Sequence, residues 1–260
     1  MKLNLNKRQK IVISSVVLTL GLLSTQMVDF NLRFRFLAGL AVLAYTLSVW
    51  SLWDGLNATK AFVLLILPTL FATAVGSFYF LLPVRWLTRL PVAVVFGLTF
   101  YLLLLAQNVF NVASLRTIPL YRAASTASFL FTLLSAFFIY HVVFAFNLLF
   151  LWNGIVIFLV SFPLILQLLW TISMEDRISI AILVQSFILS LVLGELALSF
   201  SFWPSPVTIR SLTISSAMYV LLGLTTQNLR SRLNGRVVWE YVGIGVAVFL
   251  VSLVSTSWGG

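Results

Sequence analysis

Residues 148–170 read LLFLWNGIVIFLVSFPLILQLLW. Twenty-three positions pass without one charged side chain. As an α-helix they extend about 35 Å at 1.5 Å per residue, enough to cross a hydrocarbon core of about 30 Å. Asn153, Ser161 and Gln167 are the polar interruptions, and Pro163 falls inside the run. A strand of this length would leave its backbone groups unpaired in lipid, so a helix is the reading that physics allows.

Eight further segments have the same character: 11–28, 36–53, 61–82, 91–109, 123–144, 178–202, 207–226 and 238–258. Polar or arginine-bearing turns separate most of them. The fifth and sixth are parted only by Ala145, Phe146 and Asn147. The composition agrees: 61% of the 260 residues are apolar and 8% charged, against about 25% charged in soluble domains. The expectation is an all-α, polytopic transmembrane helix bundle of about nine spans. It forms one integral membrane domain over 1–260, with a basic segment at 1–10. The opening MKLNLNKRQKIVISSVVLTLGLLS resembles a secretory signal, but TQMVDF follows where small residues would mark cleavage, so an uncleaved anchor is expected.

Lysine and arginine placement sets the orientation. With the N-terminus inside, the inner segments hold Lys2, Lys7, Arg8, Lys10, Lys60, Arg116, Arg122, Arg177, Arg230, Arg232 and Arg236, eleven in all. The outer segments hold five: Arg33, Arg35, Arg85, Arg89 and Arg210. The C-terminus then lies outside. Eleven against five also accounts for much of the net charge of +10, and no compact basic domain points to nucleic acid. The expected setting is a bacterial cytoplasmic membrane.

A weak parallel repeat is visible at an offset of about 120 residues. FYFLLPV (78–84) answers FSFWPSPV (200–207), and Gln107-Asn108 answers Gln227-Asn228, each pair followed by a basic loop. Such parallel repeats occur in transporters.

Chemistry-bearing residues are sparse. There is no cysteine and one histidine, His141, which excludes disulfides, thiolate metal sites and any bis-histidine haem within the chain. Zinc-protease, P-loop and kinase motifs are absent. Glu175 and Asp176 are the only adjacent acids, and Ser173 with Asp176 has the spacing of a helix cap. No cofactor is expected, and the sequence leans away from catalysis.

Two groups of residues stand out. The first is an intramembrane polar set. Glu195 lies about 12 Å deep in the seventh span, and Arg210 starts about 6 Å into the eighth. Ionisable groups at such depth mark function by default, and the short WPSP hairpin predicts an ion pair between these two. His141 and Asn153 lie near the same ends of their spans. The second group is cationic: NVASLRTIPLYRAAST (111–126) carries Arg116 and Arg122, and QNLRSRLNGRVVWE (227–240) carries Arg230, Arg232 and Arg236. Both fall on the inner side and match an anionic lipid head group, to which arginine binds bidentately. Arg236 and Glu240 are spaced for an i,i+4 pair.

Three function classes follow. The leading one is a non-catalytic membrane scaffold or complex subunit, with a protein partner or a second copy in the membrane. The next is a transporter or lipid-handling protein with a cytoplasmic head-group site. The third is a membrane-embedded transferase.

Overall fold

The computed structural model describes residues 6–25, 32–83, 86–113, 120–174 and 177–256. Among these residues every regular element is a helix. In chain order they are α1 (Lys7–Ser24), α2 (Arg33–Leu52), α3 (Ala58–Tyr79), α4 (Trp86–Ala113), α5 (Tyr121–Ala145), α6 (Phe150–Ser173), α7 (Ile180–Phe200), α8 (Val207–Leu229) and α9 (Gly235–Val254). Eight of them, α2 to α9, are long and apolar enough to span a membrane. The protein is a multi-pass helical membrane protein.

Helix α1 falls short of that standard for a simple reason. Lys7, Arg8 and Lys10 occupy its first turn, which leaves Ile11 to Ser24 apolar. That is about 21 Å of helix, less than the core thickness. Residues 26–28, the end of the expected first span, lie outside the described residues.

The fifth and sixth spans are separate helices. Asn147 takes a left-handed conformation (φ 48°), which stops α5 and turns the chain before α6. Met174 (φ 49°) ends α6 in the same way, and Ser231 (φ 54°) follows α8. Helix α4 begins at Trp86, five residues before the expected start, and carries Pro91 within it. The proline breaks only a bond near the helix end. Helix α7 is capped by Ser179, whose hydroxyl accepts from the Ile182 amide at 3.3 Å. The expected cap at Ser173 is therefore corrected: Ser173 is the last residue of α6, and Asp176 lies outside the described residues.

The chain divides into two compact units, Met1–Phe131 and Thr132–Gly260. In the first, α1 packs on α2 and α4, and α3 packs on α2 and α4. Phe71 anchors its aromatic core, stacked on Phe96 and edge-on to Phe131. Hydroxyls within α3 are satisfied by the preceding turn: Thr69 donates to Leu65, Thr73 to Thr69 and Ser77 to Thr73. This is how a bilayer helix carries polar side chains at little cost.

In the second unit α6 and α7 form the closest pair. A Cβ on Gly154 would stand 3.0 Å from the Gly194 carbonyl oxygen, and one on Gly194 would stand 3.0 Å from that of Gly154. The two backbones touch, as small residues permit in membranes. Helix α8 packs on α6, α7 and α9. Gly223 lies so near the Tyr241 ring that any side chain there would overlap it. Helix α9 buries only Ser252.

Candidate functional site

The Gly154–Gly194 contact sets the rotation of α7. Ile182, Ser186, Ser190, Gly194 and Ala197 face inward. The opposite stripe, Ile180, Val184, Phe187, Ile188 and Leu191, is exposed. Glu195 continues that stripe one turn later and is exposed too, followed by Ser199. In a spanning helix, exposed means facing lipid or a partner.

The expected Glu195–Arg210 ion pair is not formed. The Arg210 guanidinium lies over the Phe144 ring at 5.3 Å, a cation–π contact that ties the start of α8 to α5. The ion pairs seen among the described residues are Lys7–Asp54 (3.9 Å) and Arg236–Glu240 (3.3 Å). The Glu195 carboxylate makes no ion pair or hydrogen bond among the described residues. The Arg210 side chain turns to Phe144 on α5, while Glu195 lies on the exposed face of α7.

The other two members of the intramembrane set have structural partners. His141 Nδ1 shares a 3.4 Å hydrogen bond with Ser211 Oγ. Ser211 Oγ also stands 3.0 Å from the Val207 and Thr208 carbonyls, so its single proton is engaged there and the imidazole donates. Asn153, 3% exposed, donates from Nδ2 to Ser201 Oγ at 3.0 Å. That bond joins the start of α6 to the end of α7. Three of the four residues thus enter separate contacts, and Glu195 alone is left facing outward.

The cationic set is only partly described. Arg116 lies outside the described residues. Arg122 is exposed at the start of α5, in the first unit. Arg230 caps the end of α8, in the second unit. Arg232 and Arg236 are exposed beside it, and Arg236 makes the i,i+4 pair with Glu240 that the spacing predicts.

Some interactions have no clear trace in the sequence. Tyr140, fully buried, bonds Ser161 Oγ at 2.6 Å and donates to Met218 Sδ at 3.4 Å, joining α5, α6 and α8. Its adjacency to His141 was the only available pointer. In the first unit Asn111 Nδ2 donates to the Leu52 carbonyl (2.9 Å) and lies 3.2 Å from that of Asp54. Lys60, 6% exposed, donates to the Asn111 carbonyl at 3.3 Å, and Lys7 donates to the Asp54 carbonyl at 3.0 Å. Gly55, at φ +101°, makes the turn beneath the Asn111 amide that a side chain would strain. A basic residue read as a topology signal, Lys60, is therefore also a structural latch.

A groove of about 360 Å³ runs between α7, α8 and α9, with Val192, Leu196, Ile214, Ser216, Val246 and Phe249 on its walls. Its lining is almost wholly apolar. At one end the Trp203 indole donates to Thr256 Oγ1 at 2.7 Å, holding α9 to the α7–α8 turn.

No curated protein and no solved structure matches the chain. The family described as "Protein of unknown function (DUF5656)" matches residues 13–255, and with nearly its whole length covered the chain belongs to that family.

Proposed function

We propose that the protein is a non-catalytic subunit of a complex in a bacterial cytoplasmic membrane, where it holds partner proteins within the bilayer. The observation that carries this reading is Glu195. An acidic side chain at the centre of a spanning helix costs about 2.5–3.5 kcal/mol by insertion scales, and Glu195, midway between the centre and the end of α7, bears part of that cost. In this chain His141, Asn153, Arg210 and Lys60 all meet partners within their own unit. Glu195 meets none and points out of an apolar stripe. A subunit that joins a complex through α7 has a use for such a group, and lipid has none. The spanning helices and the eleven-to-five charge asymmetry support the cytoplasmic membrane. The N-terminus is inside and the C-terminus outside where α1, with its apolar run of about 21 Å, crosses as a short ninth span.

The test is the mass of the particle cut from the native membrane with a lipid-preserving polymer. The expected particle contains other polypeptides in fixed ratio to the 29.1 kDa chain. A particle holding this chain and lipid alone would overturn the reading.

A second reading, recognition of an anionic lipid head group, is supported by Arg230, Arg232 and Arg236 falling within seven residues at the α8–α9 turn, with Arg116 and Arg122 as further candidates. Each basic residue near an anionic surface gains about 1 kcal/mol. Binding to vesicles with and without phosphatidylglycerol measures it. Equal binding by wild type and by Arg230→Ala/Arg232→Ala would remove it.

A further inference from the structure

We infer that the exposed face of α7 seats a partner transmembrane helix that carries one lysine or arginine at the depth of Glu195. The inference rests on the subunit reading above and names the partner's chemistry.

Three features converge on this face. It is continuous: Ile180, Val184, Phe187, Ile188, Leu191, Glu195 and Ser199 succeed one another at intervals of one to four residues on one side of the helix, all exposed. That is the footprint of a second helix laid along it. It is fixed in rotation: Gly194, one residue before Glu195, is locked against Gly154 at backbone contact, so Glu195 cannot turn inward without parting α6 from α7. It is chemically incomplete: five residues, about 7.5 Å of helix, separate Glu195 from the end of α7 at Phe200, and its carboxylate has no partner among the described residues.

The occupant follows from what is missing. A carboxyl in low dielectric gives up its charge to a proton or keeps it beside a cation or strong donors, and the cation is the partner that a neighbouring protein can supply. In hydrocarbon the only simple element that brings a cation without unpaired backbone groups is a helix. A second copy of this chain fits less well. A two-fold contact through the same face would set Glu195 against Glu195, and Arg210 is already engaged by Phe144. A helix with a matched basic residue supplies the opposite charge and an apolar stripe for the rest.

The experiment uses the whole chain in phosphatidylcholine vesicles. The chain has no cysteine, so Thr208→Cys, at an exposed position beside α7's end, carries the only dye. The probes are labelled poly-leucine spanning peptides with one lysine, one glutamate or leucine alone at the matching depth. Energy transfer is expected to show the lysine peptide binding about tenfold more tightly than the all-leucine peptide, the size expected from 1–2 kcal/mol of polar association in lipid. Glu195→Gln should abolish that preference and Glu195→Asp should keep part of it. Equal binding of lysine and leucine peptides, or a preference that survives Glu195→Gln, overturns the inference. So does tighter binding of the glutamate peptide, which would mean a proton shared between carboxyls. The two readings fail separately. A chain that extracts alone yet prefers the lysine peptide sinks only the subunit reading, and a multi-protein particle with no lysine preference sinks only this one.

Discussion

Lys60 and Glu195 are the same problem solved in two ways. Each is an ionisable residue of an apolar helix, Lys60 in the first turn of α3 and Glu195 five residues before the end of α7. Lys60 is 6% exposed and donates to the Asn111 carbonyl, in a cluster where Asn111 in turn ties down the Leu52 and Asp54 carbonyls. Glu195 is exposed and has neither donor nor cation within the described residues. The difference teaches where the chain is self-sufficient. In lipid there is no water to complete an unpaired polar group, so a charge is answered by its own fold or from outside it. The α2–α3 turn does the first, and α7 leaves the second open.

The contrast breaks first at Gly194. A leucine there would drive its side chain into the Gly154 carbonyl and Phe158, both 3.0 Å from the new Cβ. Overpacking of this kind costs about 3 kcal/mol. Thermal unfolding in mild detergent should fall sharply, and Glu195 should lose its fixed aspect. An unaltered melting point would show that α6 and α7 need no backbone contact. Next is Asn111→Leu, which leaves the Leu52 carbonyl without its donor and the Asp54 carbonyl with Lys7 alone, and removes the cap over Gly55. The expected loss is about 2 kcal/mol. A loss below about 0.5 kcal/mol, the range of ordinary surface changes, would mean that water serves this turn equally well. Glu195→Gln should have the smallest effect on the isolated chain, within about 0.5 kcal/mol, because no intrachain partner is lost. A large loss would reveal an intrachain role for the carboxylate and dissolve the comparison.

The helices were legible as runs of apolar residues, because a bilayer demands length and hydropathy of each span independently. Position along a helix was nearly legible, since it counts residues from a helix end: Glu195 falls within α7 and Arg210 in the first turn of α8, with α7 ending at Phe200, two residues before the expected end. Rotation was not. A soluble helix shows its buried face by amphipathicity, but lipid is as apolar as a protein interior, so a membrane helix need not. Leu191 faces out and Leu193 faces in with nothing in their chemistry to distinguish them. The ion pair expected between Glu195 and Arg210 rested on counting residues along each helix, which says nothing of azimuth, and the two side chains take different directions. Caps suffered from a smaller ambiguity: both Ser173 and Ser179 flank the α6–α7 turn, and only the backbone decides that Ser179 is the one outside its helix. Asn111 entered the sequence reading as the first residue of the 111–126 stretch, while its work on Leu52 and Asp54 depends on residues more than fifty positions away.

The groove behind α9 has a mechanical consequence. Helix α9 buries one residue, is held at one end by Trp203 and Thr256, and leans on α8 through Gly223 and Tyr241. Between these points the wall opposite α7 is open space of about 360 Å³. The last helix is thus a beam pinned near its two ends and unsupported on its α7 side, so a bend in α9 would change the width of the groove before it disturbed either pin.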